Sequence, residues 1–173
     1  MNSRFTVALQ MIRRLFVPAK PQRSGAVAIP KAVGCARAAT FSLGLACKEI
    51  GPAHWYVVAP EHRGFIVQME VMALEGRVAF LAYADIASDR EWVTYVVMQE
   101  LLLLNHTLAR GSFRLNETKT GIAAIFGVLC DIDSCNQEYM NTTASSALQE
   151  MQKTLVHLHE REMIVLPSKH KQN

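Results

Sequence analysis

The sequence predicts an α+β fold, a two-layer domain with helices segregated from an antiparallel sheet, in the order (α)-β-β-β-α-β-β-α. Three observations carry this expectation. Three β-rich segments between His54 and Ile86 follow one another across short turns. A long leucine-rich helix then separates them from two further strands. A second periodic helix closes the pattern after residue 136. Strands joined by short turns pair antiparallel, and helices set apart from such a sheet give a two-layer domain.

His54–Ala59 (HWYVVA) is aromatic and β-branched, as strands are. PEHRG (60–64) is a turn. Phe65–Leu74 alternates, with Phe65, Val67, Met69 and Val71 on one face and Gln68 and Glu70 on the other. Glu75-Gly76 turns the chain into a third strand, Arg77–Ile86. Ser88 or Asp89 then opens a helix over Arg90–Leu108, and Ser88 with Glu91 fits a capping box. Its apolar residues cover nearly the whole circumference, so it needs cover on more than one side. One side can lie on the sheet. A second copy of the chain is the simplest cover for the other. Ser112–Asn116 and Ile122–Ile132 are the last two strands. In the final helix, Gln137–Met163, the residues Met140, Ala144, Leu148, Met151, Leu155 and Leu158 form an apolar stripe, and Asp133 is a candidate cap.

The start of the chain is different in kind. Residues 1–48 hold eight basic groups and no acid, whereas 49–173 hold ten basic and fifteen acidic groups, a net charge of −5. The chain thus reads as a basic leader or linker over 1–35, one domain over 36–163, and a basic tail over 164–173. Ser3–Phe16 reads as an amphipathic helix whose stripe is Phe5, Leu9, Ile12 and Phe16. It is open to three readings: a disordered or mis-called start, a transit peptide, or a first helix of the fold. A further weak helix is expected over Ala36–Ile50, ended by Gly51-Pro52.

Several function classes find little support. An acidic body has no basic face for a phosphate backbone, which argues against nucleic acid. No apolar window reaches 18 residues, so membrane insertion is not expected. Cys35, Cys47, Cys130 and Cys135 match no zinc spacing and read as reduced thiols in a cytoplasmic protein. Three N-x-[ST] triplets, at Asn105, Asn116 and Asn141, matter only in a secretory compartment. His157 and His159, two apart on a helix, point in diverging directions and cannot share an ion. Asp131 and Asp133 lack the rest of a calcium loop. Neither a glycine-rich phosphate loop nor a nucleophile elbow is present, so no catalytic residue, cofactor or metal is expected.

The run EWVTYVVMQELLLLNHTLARGSFRLNETKTGIAAIFGVL has a leucine-rich helix closing on an Asn, a GSFRL strand, a polar turn and an apolar strand. It resembles the middle of the type III secretion chaperone superfamily, the Tir-chaperone-like fold, which also includes YbjN-type bacterial proteins. The resemblance spans residues 54–163 in element order and rests on pattern, with no invariant motif. It implies a non-enzymatic, cytoplasmic homodimer that pairs through the central helix and the Ser112–Leu115 strand. Trp92, Val96, Leu103 and Phe113 are its expected interface residues. It further implies a groove for an unfolded segment of a secreted client (effector) protein, with Trp55, Val57, Phe65, Val67 and Met69 as the expected contacts. The acidic body agrees with this family, and the basic leader departs from it. An adaptor or regulatory protein of the same fold, with no secreted client, is the alternative, and import into an organelle is a further one.

Overall fold

In the computed structural model, residues 25–86, 91–118 and 121–165 are described. Nine elements follow in order: α1 (Gly25–Ser42), β1 (Cys47–Gly51), β2 (His54–Val58), β3 (Gln68–Leu74), β4 (Arg77–Ile86), α2 (Glu91–Thr107), β5 (Ser112–Thr118), β6 (Gly121–Asp131) and α3 (Gln137–Glu160). The six strands form one sheet of order β1-β2-β3-β4-β6-β5, antiparallel at every junction. The expected α+β architecture is therefore the observed one.

The first four strands form a meander because their turns are short and chemically suited. At the 59–67 connection, His62 and Phe65 exchange backbone hydrogen bonds of 2.9 and 3.0 Å around Arg63 and Gly64, both with positive φ. Two successive positive-φ residues make the tight turn whose twist matches a hairpin. This turn removes Phe65–Val67 from the expected strand, so β3 begins at Gln68. The longest ladder of the sheet is β4–β6, ten residue pairs from Arg77↔Asp131 to Ile86↔Ile122.

The three helices among the described residues feed one core on one face of the sheet. Trp55, Val57, Met69, Val71, Phe80 and Phe126 project from the strands, and Ala36, Leu101, Met151 and Leu155 meet them from the helices. Alternate strand residues face the other side, where Met72, Ala79 and Leu81 form a small cluster of their own.

Two expectations are corrected at the start of the fold. The helix expected over Ala36–Ile50 lies earlier, at Gly25–Ser42, and the boundary expected at residue 36 falls inside it. Gly44, at φ +64, turns the chain out of the helix, and Cys47–Gly51 becomes the edge strand β1. That strand is mostly exposed and carries no alternating apolar signal, which is why its sequence does not announce it. At the other end, Asn136 and not Asp133 caps α3, accepting the Tyr139 N–H at 2.8 Å. The Ser3–Phe16 helix, the Ser88/Asp89 cap and the tail beyond residue 165 lie outside the described residues.

Candidate functional site

Helix α2 is the element whose sequence exceeds what the domain uses. Val97 and Leu101 are buried against the sheet. Tyr95, Met98, Leu102 and Leu103 are 56%, 41%, 54% and 64% exposed. At 100° per residue, Tyr95, Met98 and Leu102 fall within a sector of about 60°. Asn105 lies next to that sector, and its contacts show where the sector points. Its Nδ2 donates to the Phe113 carbonyl at 3.0 Å, and its Oδ1 accepts the Phe113 N–H at 2.6 Å.

Strand β5 is the last strand of the sheet, paired only with β6. Asn105 therefore occupies outward-facing backbone groups at the open edge. A side chain that takes up edge groups blunts the edge against uncontrolled pairing. The apolar sector of α2 thus borders a partly masked β-edge, and the two make one continuous surface.

The residues expected at interfaces land in different places. Leu103 is exposed, as an interface residue must be in a lone subunit, and Val96 is half-buried. The Trp92 side chain lies outside the described residues. Phe113 is buried, its ring 4.7 Å from that of Phe126, so it serves the core. The groove residues Trp55, Val57, Phe65, Val67 and Met69 are all 0–2% exposed. The front of the meander is the inner face of the domain, covered by α1 and α3. In this arrangement those five side chains offer no open groove.

A second feature lies between α2 and α3. The middle of α2 is tied to the C-terminal end of α3 by Glu100, whose Oε1 accepts hydrogen bonds from His157 Nε2 at 2.7 Å and Arg161 Nη1 at 2.5 Å. The hydrogen bond from His157, with that from Arg161, holds the Glu100 carboxyl below its ordinary value. Away from this tie, the α2–β5 connection, β6 and the first half of α3 line a cleft of about 500 Å³. Leu108, with the buried Phe126 and Val128 behind it, gives the cleft its apolar lining. Glu138, Thr142, Ser146 and Glu150, four residues apart on α3, make a polar wall. Arg110 stacks 4.3 Å from the Tyr139 ring at one end. Sequence reasoning did not find this cleft, because its walls come from segments about 30 residues apart.

The outer face of the sheet carries a hydrogen-bonded cluster. Glu70 lies 3.2 Å from His54 Nε2 and accepts a long contact of 3.5 Å from the Tyr83 hydroxyl. Burial pushes the Tyr83 phenol well above its ordinary value, so it is a donor at any physiological pH. Arg114, on the same face, is half-buried, and burial lowers its guanidinium below the usual value.

Among the described residues, no group of three or more His, Cys, Asp or Glu is placed to hold a metal ion. His157 turns to Glu100 and His159 to the Ile164 carbonyl. Asp131 accepts the Asp133 N–H, and Asp133 pairs with Lys31. Cys130 is buried, which drives its thiol up to about 11. No described helix is long and apolar enough to cross a membrane.

E. coli YbjN, a proposed transcription regulator, superposes with a TM-score of 0.58 over 75% of this chain and 92% of its own, at 11% identity. The fold is YbjN-like. An uncharacterized protein from Methanothermobacter thermautotrophicus superposes with a TM-score of 0.52 over 75% of this chain and 98% of its own, at 7% identity. No family model matches the sequence, and no curated protein does. Likeness to YbjN at this identity concerns the architecture alone. It covers nearly all of YbjN, so the shared unit is the whole domain rather than one motif.

Proposed function

We propose that this protein is a non-enzymatic, cytoplasmic protein-binding domain that pairs with a second copy of itself and serves as an adaptor or chaperone for another protein. The observation that carries this reading is the outward surface of α2, where Tyr95, Met98 and Leu102 stand in solvent on the side that borders the β5 edge and Leu103 stands in solvent further round the helix. Four large apolar side chains on one helix are costly to leave wet, at roughly 1.5–3 kcal/mol for each one fully covered. A second copy is the occupant the surface suits, because a helix beside an edge strand can meet its own image across a two-fold axis.

The finer reading is a chaperone that holds an unfolded segment of a secreted client. It requires that a client reach Trp55, Val57, Phe65, Val67 and Met69. Since these are buried, α1 must lift from the sheet to admit it. Small contacts hold that helix, through Ala32, Ala36 and Ala39. The adaptor reading needs no such opening, and YbjN's description as a proposed regulator is in keeping with it.

Sedimentation of the full chain tests the pairing. Wild type is expected at twice the 19.3 kDa subunit mass, and Leu102→Lys with Leu103→Lys is expected at the single-subunit mass with unchanged circular dichroism. A lone wild-type subunit at high concentration overturns the proposal. For the client reading, a bound unstructured segment must resist added protease in the complex, and must stop doing so when α1 is cross-linked to α3.

A further inference from the structure

Trp55 is wholly buried, and its indole Nε1–H finds no hydrogen-bond acceptor among the described residues. Of their buried side-chain nitrogen and oxygen atoms, it alone is left in that state. A donor sealed from water without a partner raises the free energy of whatever conformation seals it. On this side of the sheet the seal is α1. Its Arg37 guanidinium stands 5.9 Å from the centre of the Trp55 ring and pairs with Glu49 at 3.3 Å, and Glu49 lies opposite Trp55 in the β1–β2 register.

The contacts that keep α1 over that ring are small. Ala32, Ala36, Ala39 and Thr40 are buried and Val33 and Cys35 partly so, while Phe41, the largest described apolar side chain of the helix, is 60% exposed. Short side chains hide little apolar area, so little is lost when they leave. The ion pairs Lys31–Asp133 and Arg37–Glu49 are solvent-exposed, where such pairs contribute little. Pro30 has no N–H to give to the helix ladder. The chain leaves α1 through Gly44, at φ +64, and no atom lies within 4 Å of where a Cβ would stand there. A glycine in open space at the end of an element is a place where the chain can swing.

We propose that α1 is a releasable cover. It swings on Gly44 while the sheet and α3 stay folded, and the sealed Trp55 N–H biases the closed form towards opening. Release gives that N–H to water, or to a carbonyl of an entering segment, and uncovers the sheet around Trp55. The cover serves the chaperone reading above and depends on it for its purpose, whereas its opening is measured with no client present.

Hydrogen–deuterium exchange of the full chain, read by mass spectrometry across a urea series, tests it. Amides of residues 32–42 are expected to exchange about tenfold or more faster than those of β4 and β6. Their urea dependence should also be shallower, because it follows the surface exposed on opening. Replacing Trp55 alone by its benzothienyl analogue puts a sulfur in place of the N–H at nearly the same volume. It should slow exchange of residues 32–42 about fivefold or more, since the closed form no longer seals a donor. Gly44→Ala should speed it about fivefold or more, because left-handed strain is present while α1 is seated and relieved on release. Unchanged circular dichroism in both variants shows that the domain is folded. Exchange of residues 32–42 at the rate and urea dependence of β4 and β6 overturns the proposal, because α1 would then open only with the whole domain. Unchanged or faster exchange in the Trp55 analogue, or no effect of Gly44→Ala, overturns it too. If α1 opens as expected and no client segment is ever protected from protease, the cover stands and the chaperone reading falls.

Discussion

A Cβ added at Gly111 would lie 2.6 Å from Phe126 Cζ, 2.8 Å from Val128 Cγ2 and 2.9 Å from the Gly127 carbonyl, in a backbone at φ +76. Both the conformation and the space therefore demand glycine, at a point where the chain passes from α2 into β5. Gly111→Ala is expected to lose about 2–4 kcal/mol in urea denaturation, from left-handed strain and overpacking together. This close packing is not legible in the sequence, because the ring that fills the space is fifteen residues away. Cys130 makes a complementary case. Burial raises its thiol to about 11, so little thiolate is available near neutrality. Native protein treated with iodoacetamide at pH 8 should stay unmodified at Cys130 until denaturant is added, as read by peptide mass spectrometry. The sign for stability is also fixed. A folded-state value above the ordinary 9.0 gives a contribution present below pH 9 and lost as pH rises through about 11.

Among elements, periodicity revealed most of what it could reveal. β4 was readable to its last residue, and α3 had a clear stripe, because each buries one regular face. β1 and α1 were misplaced for the opposite reason: β1 is an edge strand with mostly exposed side chains, and α1 uses alanines that leave a weak periodic signal. The surface on α2 was legible in outline, since a helix apolar all round needs two covers. Its border was not, because Asn105 reveals its role only when β5 lies beneath it. Asn105→Ala removes both of its hydrogen bonds to Phe113 and is expected to cost about 1–2 kcal/mol in thermal or urea unfolding. Glu100 ties α2 to α3, and its effect depends on pH. Its carboxyl is held below the ordinary 4.5, so its contribution is present above about pH 4.5 and lost as pH falls through the lowered value. Glu100→Gln should therefore lower stability at pH 7 by about 1 kcal/mol or less, with the difference from wild type shrinking towards pH 3.

At the scale of the molecule, the domain begins earlier than composition suggests. The change from basic to acidic chain near residue 48 marks no structural boundary, since α1 carries basic residues and still buries Ala32, Ala36 and Ala39 in the core. Charge describes what the surface meets, whereas the boundary follows burial. A chain starting at residue 36 would lose Ala32, the Lys31–Asp133 pair and the first three turns of α1. It is expected to unfold at clearly lower denaturant than one starting at residue 25, and circular dichroism in a urea series would measure the gap.

The strand order also has a consequence during synthesis. β4 is complete at Ile86, but its central partner β6 ends at Asp131, about 45 residues later. At typical ribosomal speeds of 5–20 residues per second that interval lasts about 2–9 s. Throughout it, a ten-residue strand rich in Val, Ala, Phe and Leu presents a bare backbone edge to whatever nascent chain is nearby. The hazard of misassembly is therefore greatest in the translating cell, before the molecule has its full sheet.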